Sequence, residues 1–145
     1  MISFSPETIL PHGAGMRLLS QPGALLDGWM TYEVVMEPWF SVLEDGASAP
    51  PELGLEMMAQ ACGMVVADND NGAPPSARMG VVGAVRGYTY TPLPFVVGER
   101  VSVRVKPEVL EDGVAVCEGE IYRAGNSSPD QRARITLVIT KDGDR

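Results

Sequence analysis

Glu56 and Gln60 have the most distinctive chemistry in the sequence. They are the only polar side chains in the central turns of a segment, Glu52 to about Ala67, whose apolar residues cover every face of a helix. At a spacing of four residues they share one helical face. Burial would favour a protonated carboxyl group, which the glutamine could orient, whereas the helix dipole favours a charged one. Proton transfer and a simple helix-start role therefore both remain open for Glu56.

His12 is the only histidine in the chain. It lies in the segment from Leu10 to Gly15, where one proline and two glycines predict a turn. An imidazole changes its charge near neutral pH and suits a catalytic base, although a loop histidine can also simply bond to backbone. A single histidine excludes mechanisms that need two, and we expect no metal site.

One helix and about five strands must position these residues. The pattern predicts a strand from Trp29 to Met36, then a loop from Ser41 to Pro51 before the helix. Four strands are predicted after the helix, the first of them broken by glycines: Met79–Thr91, Arg100–Val109, Val114–Tyr122 and Arg132–Thr140. A helix that is apolar all round needs cover, and only the sheet can supply it. We therefore expect one α+β domain, residues 1–145, with an antiparallel sheet around a central helix.

Composition narrows the possible functions further. Eleven basic against nineteen acidic residues give a net charge of −8, which disfavours nucleic-acid binding. The longest apolar stretch, Met57 to Ala67, is well short of the roughly 20 residues that span a bilayer. The first residues have no export signal, so we expect a cytoplasmic location. Cys62 and Cys117 are expected to be reduced thiols in the core.

Four motifs together resemble one family. They are Leu10-Pro11-His12 followed by Met16, Leu18 and Leu19; the segment Leu55-Glu56-Met57-Met58-Ala59-Gln60-Ala61-Cys62-Gly63; the glycine-rich run Gly80 to Arg86; and Pro94 to Val105. The pattern resembles the β-hydroxyacyl-acyl-carrier-protein dehydratases of the hotdog fold, especially the branch of aryl-polyene and related fatty-acid-like pathways. The resemblance spans roughly Ile9 to Ile139. It implies a hotdog fold, with the antiparallel sheet wrapped around one long helix.

The resemblance also implies a reaction. A dehydratase removes water from a 3-hydroxyacyl thioester to give a trans-2-enoyl thioester, which needs a base at C2 and an acid at the C3 hydroxyl. We assign His12 as the base and Glu56 as the acid, with Gln60 orienting Glu56. No metal or redox cofactor is expected. The substrate would be carried on the phosphopantetheine arm of an acyl carrier protein or on CoA.

Substrate binding is assigned to Gly83, Arg86 and Met57. The backbone near Gly83 could hold the thioester carbonyl, Arg86 could bind a phosphate, and Met57 lies on the helix beside the expected acyl tunnel. Met57 and Arg86 have plainer interpretations as well. Methionines at this spacing are typical of core packing, and an arginine on a strand edge is typically solvated.

Two departures from the housekeeping dehydratases bear on the mechanism. Their Gly-His-Phe-Pro motif has no counterpart around Val42, so the base must be His12 if a histidine serves. Their glycine five residues before the glutamate, whose N–H holds the carbonyl, is here Pro51, which has no N–H. The carbonyl would need another donor, either a free N–H in the first helical turn or the backbone near Gly83.

The resemblance implies a dimer with active sites at the subunit interface. The partner could be a second copy or a different hotdog subunit. Because carrier proteins are usually acidic, docking one would need a local basic patch, for which the candidates are Arg17, Arg78, Arg86 and Arg100. Two other functions stay open: a hotdog thioesterase that uses Glu56 without His12, and a non-catalytic subunit that needs neither.

Overall fold

The fold is an antiparallel sheet with one α-helix against it. A computed structural model of the chain describes residues 18–19, 23–40, 47–69, 78–111 and 113–141. A six-stranded sheet has the order β1-β2-β6-β7-β8-β4, and every neighbouring pair is antiparallel. The elements in chain order are β1 (Ala24–Leu26), β2 (Trp29–Val35), a 3₁₀ turn (Pro38–Phe40), β3 (Ser48–Ala49), α1 (Leu53–Asn69), β4 (Arg78–Tyr90), β5 (Phe95–Val96), β6 (Arg100–Glu111), β7 (Val114–Arg123) and β8 (Gln131–Lys141).

Helix α1 lies across the middle strands of the sheet, where it packs against β6, β7 and β8. The sheet contributes alternate residues to the core, as the period of two in β6 predicts: Val101, Val103 and Val105 are buried. Helix and sheet pack closely at Gly119 on β7, where an added Cβ would lie 2.9 Å from the sulfur of Met58. The expected α+β arrangement, with a sheet around one long helix, is confirmed.

The long strands agree with the sequence prediction, whereas three short strands were missed. β1 forms a hairpin with β2 through Asp27 and Gly28, both of which have positive φ angles. β3 and β5 pair only with each other and contribute two residues each. β3 lies inside the predicted loop from Ser41 to Pro51, because its backbone finds a partner about 46 residues away in the chain, a distance at which local sequence carries no signal.

The face of the sheet that points away from α1 has a buried carboxylate. Glu120 on β7 is 4% exposed and forms salt bridges with Arg104 at 2.6 Å and with Arg132 at 3.1 Å. The Arg104 guanidinium lies between the rings of Trp29 and Tyr122, at 4.3 and 4.9 Å from their centroids. Burial raises the pKa of Glu120, but the two arginines and the Tyr122 hydroxyl more than offset this, and the pKa is lower than usual.

The two cysteines face each other across the interface between helix and sheet. Cys62 on α1 and Cys117 on β7 are fully buried free thiols whose sulfur atoms are 2.8 Å apart. The hydrogen bond to Cys117, and then burial, raise the pKa of Cys62. Both thiols are therefore core groups, as the sequence predicts.

Neither a membrane span nor a metal site is found among the described residues. No helix in these segments is long and apolar enough to cross a bilayer. No group of His, Cys, Asp and Glu side chains within them is placed to hold a metal ion.

Candidate active site

The first backbone N–H groups of α1 are hydrogen-bonded to carbonyl groups of the same chain. The N–H groups of Leu53, Gly54 and Leu55 donate to the carbonyls of Pro50, Pro51 and Glu52 at 3.0 to 3.1 Å. These three donors of the first turn are occupied, so they do not offer a free N–H for a substrate carbonyl. The second place that the sequence suggests for such a donor is the backbone near Gly83.

Glu56 follows this hydrogen-bonded turn, and Gln60 lies one helical turn further on. The Gln60 Nε2 donates to the Glu56 Oε1 at 3.2 Å, and the Gln60 Oε1 accepts the backbone N–H of Leu18 at 2.8 Å. Gln60 is 2% exposed, whereas Glu56 is half-buried. The spacing of four residues therefore brings the two side chains together as predicted, and Gln60 joins Glu56 to the N-terminal segment.

His12 lies outside the described residues. Its neighbours further along the same motif, Leu18 and Leu19, are described and fully or almost fully buried. Leu18 is six residues after His12 and is the residue that bonds to Gln60. Leu18 is therefore bonded to the same side chain that contacts Glu56.

The three predicted substrate-binding residues occupy different places. Gly83 lies at an irregularity in the pairing of β4 with β8, between Val82 and Ala84, and it is exposed. Arg86 pairs in register with Arg134 and points to the sheet face away from α1, where it is exposed. Met57 is fully buried in the core of the single chain. The structure of one chain thus brings Glu56 and Gln60 together but not these three residues.

Gln131 and Tyr88 belong to the same region but were not predicted from the sequence. The Gln131 Nε2 donates to the Pro51 carbonyl at 2.7 Å, and the Tyr88 hydroxyl donates to the Gln131 Oε1 at 3.0 Å. Burial, followed by the charge of Glu52, raises the pKa of Tyr88 to about 12, so its hydroxyl keeps its proton. One signal was available: Gln131 shares its strand face with Ala133 and Ile135, where only apolar residues are expected.

Comparison with known proteins identifies the family of this chain and its fold. The family model for the ApeP dehydratases, described as ApeP-like, matches residues 4–144. The chain belongs to the ApeP-like dehydratase family. This confirms the resemblance drawn from the motifs around His12, Glu56 and the glycine-rich strand. None of the curated proteins matches the sequence.

Solved structures agree on the fold. The dehydratase heterocomplex ApeI:P from Xenorhabdus doucetiae superposes with a TM-score of 0.76 at 23% identity, covering 93% of this chain and 90% of that one. A hypothetical thioesterase with coenzyme A from Streptococcus pneumoniae has a TM-score of 0.58 at 14% identity, with 81% and 83% covered. The PaaI protein of the E. coli phenylacetic acid degradation operon has a TM-score of 0.56 at 14% identity, with 80% of each chain covered. The fold of this ApeP-like protein is the hotdog fold.

Proposed function

We propose that the chain catalyses the removal of water from a 3-hydroxyacyl thioester, giving a trans-2-enoyl thioester in a fatty-acid-like, polyene or polyketide-like pathway. Membership of the ApeP-like dehydratase family supports this reaction class. The observation that carries the assignment is Gln60, whose amide joins Glu56 to the segment that follows His12. One buried side chain thus contacts both the proposed acid and Leu18, six residues after the proposed base.

In the proposed mechanism, His12 and Glu56 act on neighbouring carbons. The neutral His12 imidazole takes the C2 proton, and the electron pair of the C2–H bond forms the C2=C3 double bond. The C3–O bond breaks as the protonated Glu56 carboxyl group gives its proton to the hydroxyl, which leaves as water. Transfer of the proton from His12 back to Glu56 restores the starting state. Gln60 orients the carboxyl group through its amide N–H.

The thioester carbonyl needs a donor that the helix start does not supply. The occupied N–H groups of Leu53, Gly54 and Leu55, together with Pro51, leave the irregular backbone at Gly83 as the candidate. Arg86 would bind a phosphate of the carrier arm, and Met57 would line the acyl tunnel after assembly of the subunits. The proposed substrate is a carrier-protein or CoA thioester, and we propose that the reaction takes place in the cytoplasm.

Subunit assembly is proposed along β4. This strand of 13 residues is an edge of the six-stranded sheet, and its helix side exposes Val82 at 45% and Val85 at 36%. A long edge strand with exposed apolar residues is a template for pairing with another chain. The partner is a second copy or a different hotdog subunit, and the structure of the ApeI:P heterocomplex supports the second.

Two single variants and their combination test the reaction. We expect His12→Ala and Glu56→Gln each to lower the dehydration rate by about 10²-fold or more without unfolding the protein, the usual scale for a positioned proton-transfer group. The fold-loss in rate of the double variant should be much smaller than the product of the two single fold-losses, because both groups act in one transition state. The assay follows enoyl formation and free thiol together on a 3-hydroxyacyl thioester.

The same assay separates the other two functions. Release of free thiol that depends on Glu56 but not on His12 would identify a thioesterase. If neither product forms with the assembled protein, the chain is a non-catalytic partner subunit.

Assembly along β4 is tested by light scattering. We expect a dimer at micromolar concentration, alone or with a second hotdog subunit, and dissociation in Val85→Glu. Val96→Glu is the matched control, because Val96 is 54% exposed on β5 and lies outside the proposed interface. Equal behaviour of the two variants would show that β4 is not the interface.

A further inference from the structure

Gln131 is a buried amide that links three elements. It is the first residue of β8 and 1% exposed, and it contacts the segment before α1 through Pro51 and the edge strand β4 through Tyr88. A buried amide of this kind is costly unless both of its ends are bonded. Here both ends are bonded, one to the helix start and the other to β4.

The direction of this hydrogen-bond chain is fixed by its members. The Pro51 carbonyl can only accept, so the amide NH₂ of Gln131 must face it. The amide oxygen then faces Tyr88, whose hydroxyl must donate. Turning the amide over would lose the bond to Pro51, so the chain has a single stable arrangement.

Close packing between Gln131 and Gly54 also fixes the start of α1. A Cβ added at Gly54 would lie 2.2 Å from the Gln131 Oε1, so the amide touches the helix backbone at a position that only glycine allows. The Pro51 carbonyl also accepts the N–H of Gly54 at 3.0 Å. The carbonyl before the helix is therefore bonded to the first turn of α1 and to β8 at once.

Glu56 lies between this anchor and the one formed by Gln60. The amide of Gln131 holds the backbone one turn before Glu56, and the amide of Gln60 holds the carboxyl group from one turn after it. A displacement of about 1 Å in a reacting group can cost about 10²-fold in rate. The position of the helix start is thus directly relevant to the position of the carboxyl group.

We propose that Gln131 is a positioning residue for the dehydration reaction. By bonding to both the Pro51 carbonyl and the Tyr88 hydroxyl, it fixes the start of α1 and thereby the position of Glu56. The proposal rests on the proposed function of Glu56 as the acid. Pro51, which has no N–H for a substrate, here contributes its carbonyl as the attachment point of the helix.

The kinetic test uses two substitutions of Gln131. Gln131→Met keeps the approximate size but cannot donate to Pro51, and we expect kcat to fall at least about tenfold while KM changes less than about threefold. In Gln131→Glu the introduced carboxyl group donates to Pro51 only when protonated. Tyr88 contacts residue 131 directly and Tyr90 pairs with it, and the charge of Glu52 acts on both tyrosines. We therefore expect burial at position 131, together with the Glu52 charge nearby, to raise the pKa of the introduced carboxyl group.

The pH profile is the readout that a packing role would not change. The kcat of Gln131→Glu relative to the natural protein should rise at least about fivefold from pH 8 to pH 6, whereas the ratio for Gln131→Met stays flat. Tyr88→Phe should lower kcat by a smaller factor, and Tyr122→Phe, on the opposite face of the sheet, is its matched control. A folded Gln131→Met with natural kcat, or a flat ratio for Gln131→Glu, would overturn the proposal.

A measurement without substrate separates this proposal from the proposed function. Amide hydrogen exchange of Leu53, Gly54 and Leu55 should speed up at least about tenfold in Gln131→Met, while that of Met64 in the same helix is unchanged. If Gln131→Met does not fold, the same amide exchange is measured in Tyr88→Phe, where it should also speed up at the helix start. If the natural protein forms no enoyl product, the proposed function has failed. If exchange at the helix start is unchanged in the folded variants, the positioning role has failed.

Discussion

Replacing Gln60 with methionine tests whether one buried amide holds the proposed acid in place. Methionine is close to glutamine in size and suits an apolar helix, so the substitution leaves no large cavity. It removes the hydrogen bond accepted from the Leu18 N–H at 2.8 Å and the one donated to Glu56 at 3.2 Å. The effect of the variant therefore reports the role of the polar groups and not of the packing.

The expected loss of stability in Gln60→Met follows from the burial of the groups that lose their hydrogen bonds. Leu18 is 4% exposed, and a buried N–H that loses its acceptor costs about 1–3 kcal/mol. The half-buried bond to Glu56 contributes about 0.5–1.5 kcal/mol, and the apolar methionine offsets part of the sum. We expect a net destabilisation of about 2–3 kcal/mol and a Tm lower by roughly 5–10 °C. The dehydration rate should fall by about 10²-fold, because the carboxyl group loses its orientation.

The assay combines urea denaturation at fixed protein concentration with kcat on a 3-hydroxyacyl thioester. Met64→Leu is the matched control: Met64 is fully buried one turn further along α1, and this swap should cost less than about 1.5 kcal/mol and leave kcat unchanged. If Gln60→Met loses less free energy of unfolding than Met64→Leu, the amide does not hold the N-terminal segment. If it is destabilised but keeps its kcat, Gln60 stabilises the fold and does not orient Glu56.

Three further predictions concern the fold that supports the site. Gly119→Ala should cost about 1–3 kcal/mol in urea denaturation, since the new Cβ would lie 2.9 Å from the Met58 sulfur; an unchanged midpoint would contradict this contact. Cys62 and Cys117 should react with a thiol reagent only as fast as the chain unfolds, and two thiols should appear in denaturant; rapid labelling of the native protein would show that they are accessible. Because the pKa of Glu120 is lowered on folding, its stabilisation is present above the ordinary value of 4.5 and is lost as the pH falls through the folded value. Glu120→Gln should therefore be less stable than the natural protein at pH 7, and the difference should shrink in acid; a constant difference would refute the ionic origin.

The sequence was sufficient for the long elements because each depends on a periodic local pattern. β6 alternates Val101, Val103 and Val105 with polar residues, and the structure buries these three valines. The helix predicted from Glu52 to about Ala67 is observed at Leu53–Asn69. The spacing of Glu56 and Gln60 was enough to predict their contact, since residues four apart meet on any α-helix.

The rest depends on contacts that a local pattern does not encode. β3 and β5 have two residues each and exist only because they pair across the chain. Gln131 reaches Pro51 over 80 positions, and no spacing rule connects them. The β1–β2 hairpin is different, because the dipeptide Asp27-Gly28 is a strong turn signal that could have been used.

The helix start connects the chemistry of this site to its assembly. Proline at position 51 removes one N–H, and the first three helical N–H groups are occupied by backbone carbonyls, so the helix offers no free donor among these positions. The remaining candidate, the backbone at Gly83, lies on β4, as does Tyr88, whose hydroxyl orients Gln131. β4 is also the edge along which a partner subunit is proposed to pair. Any shift of this strand on assembly would therefore move the proposed thioester donor directly and the start of the Glu56 helix through Gln131. We therefore expect pairing along β4 to influence the position of Glu56 through Tyr88 and Gln131.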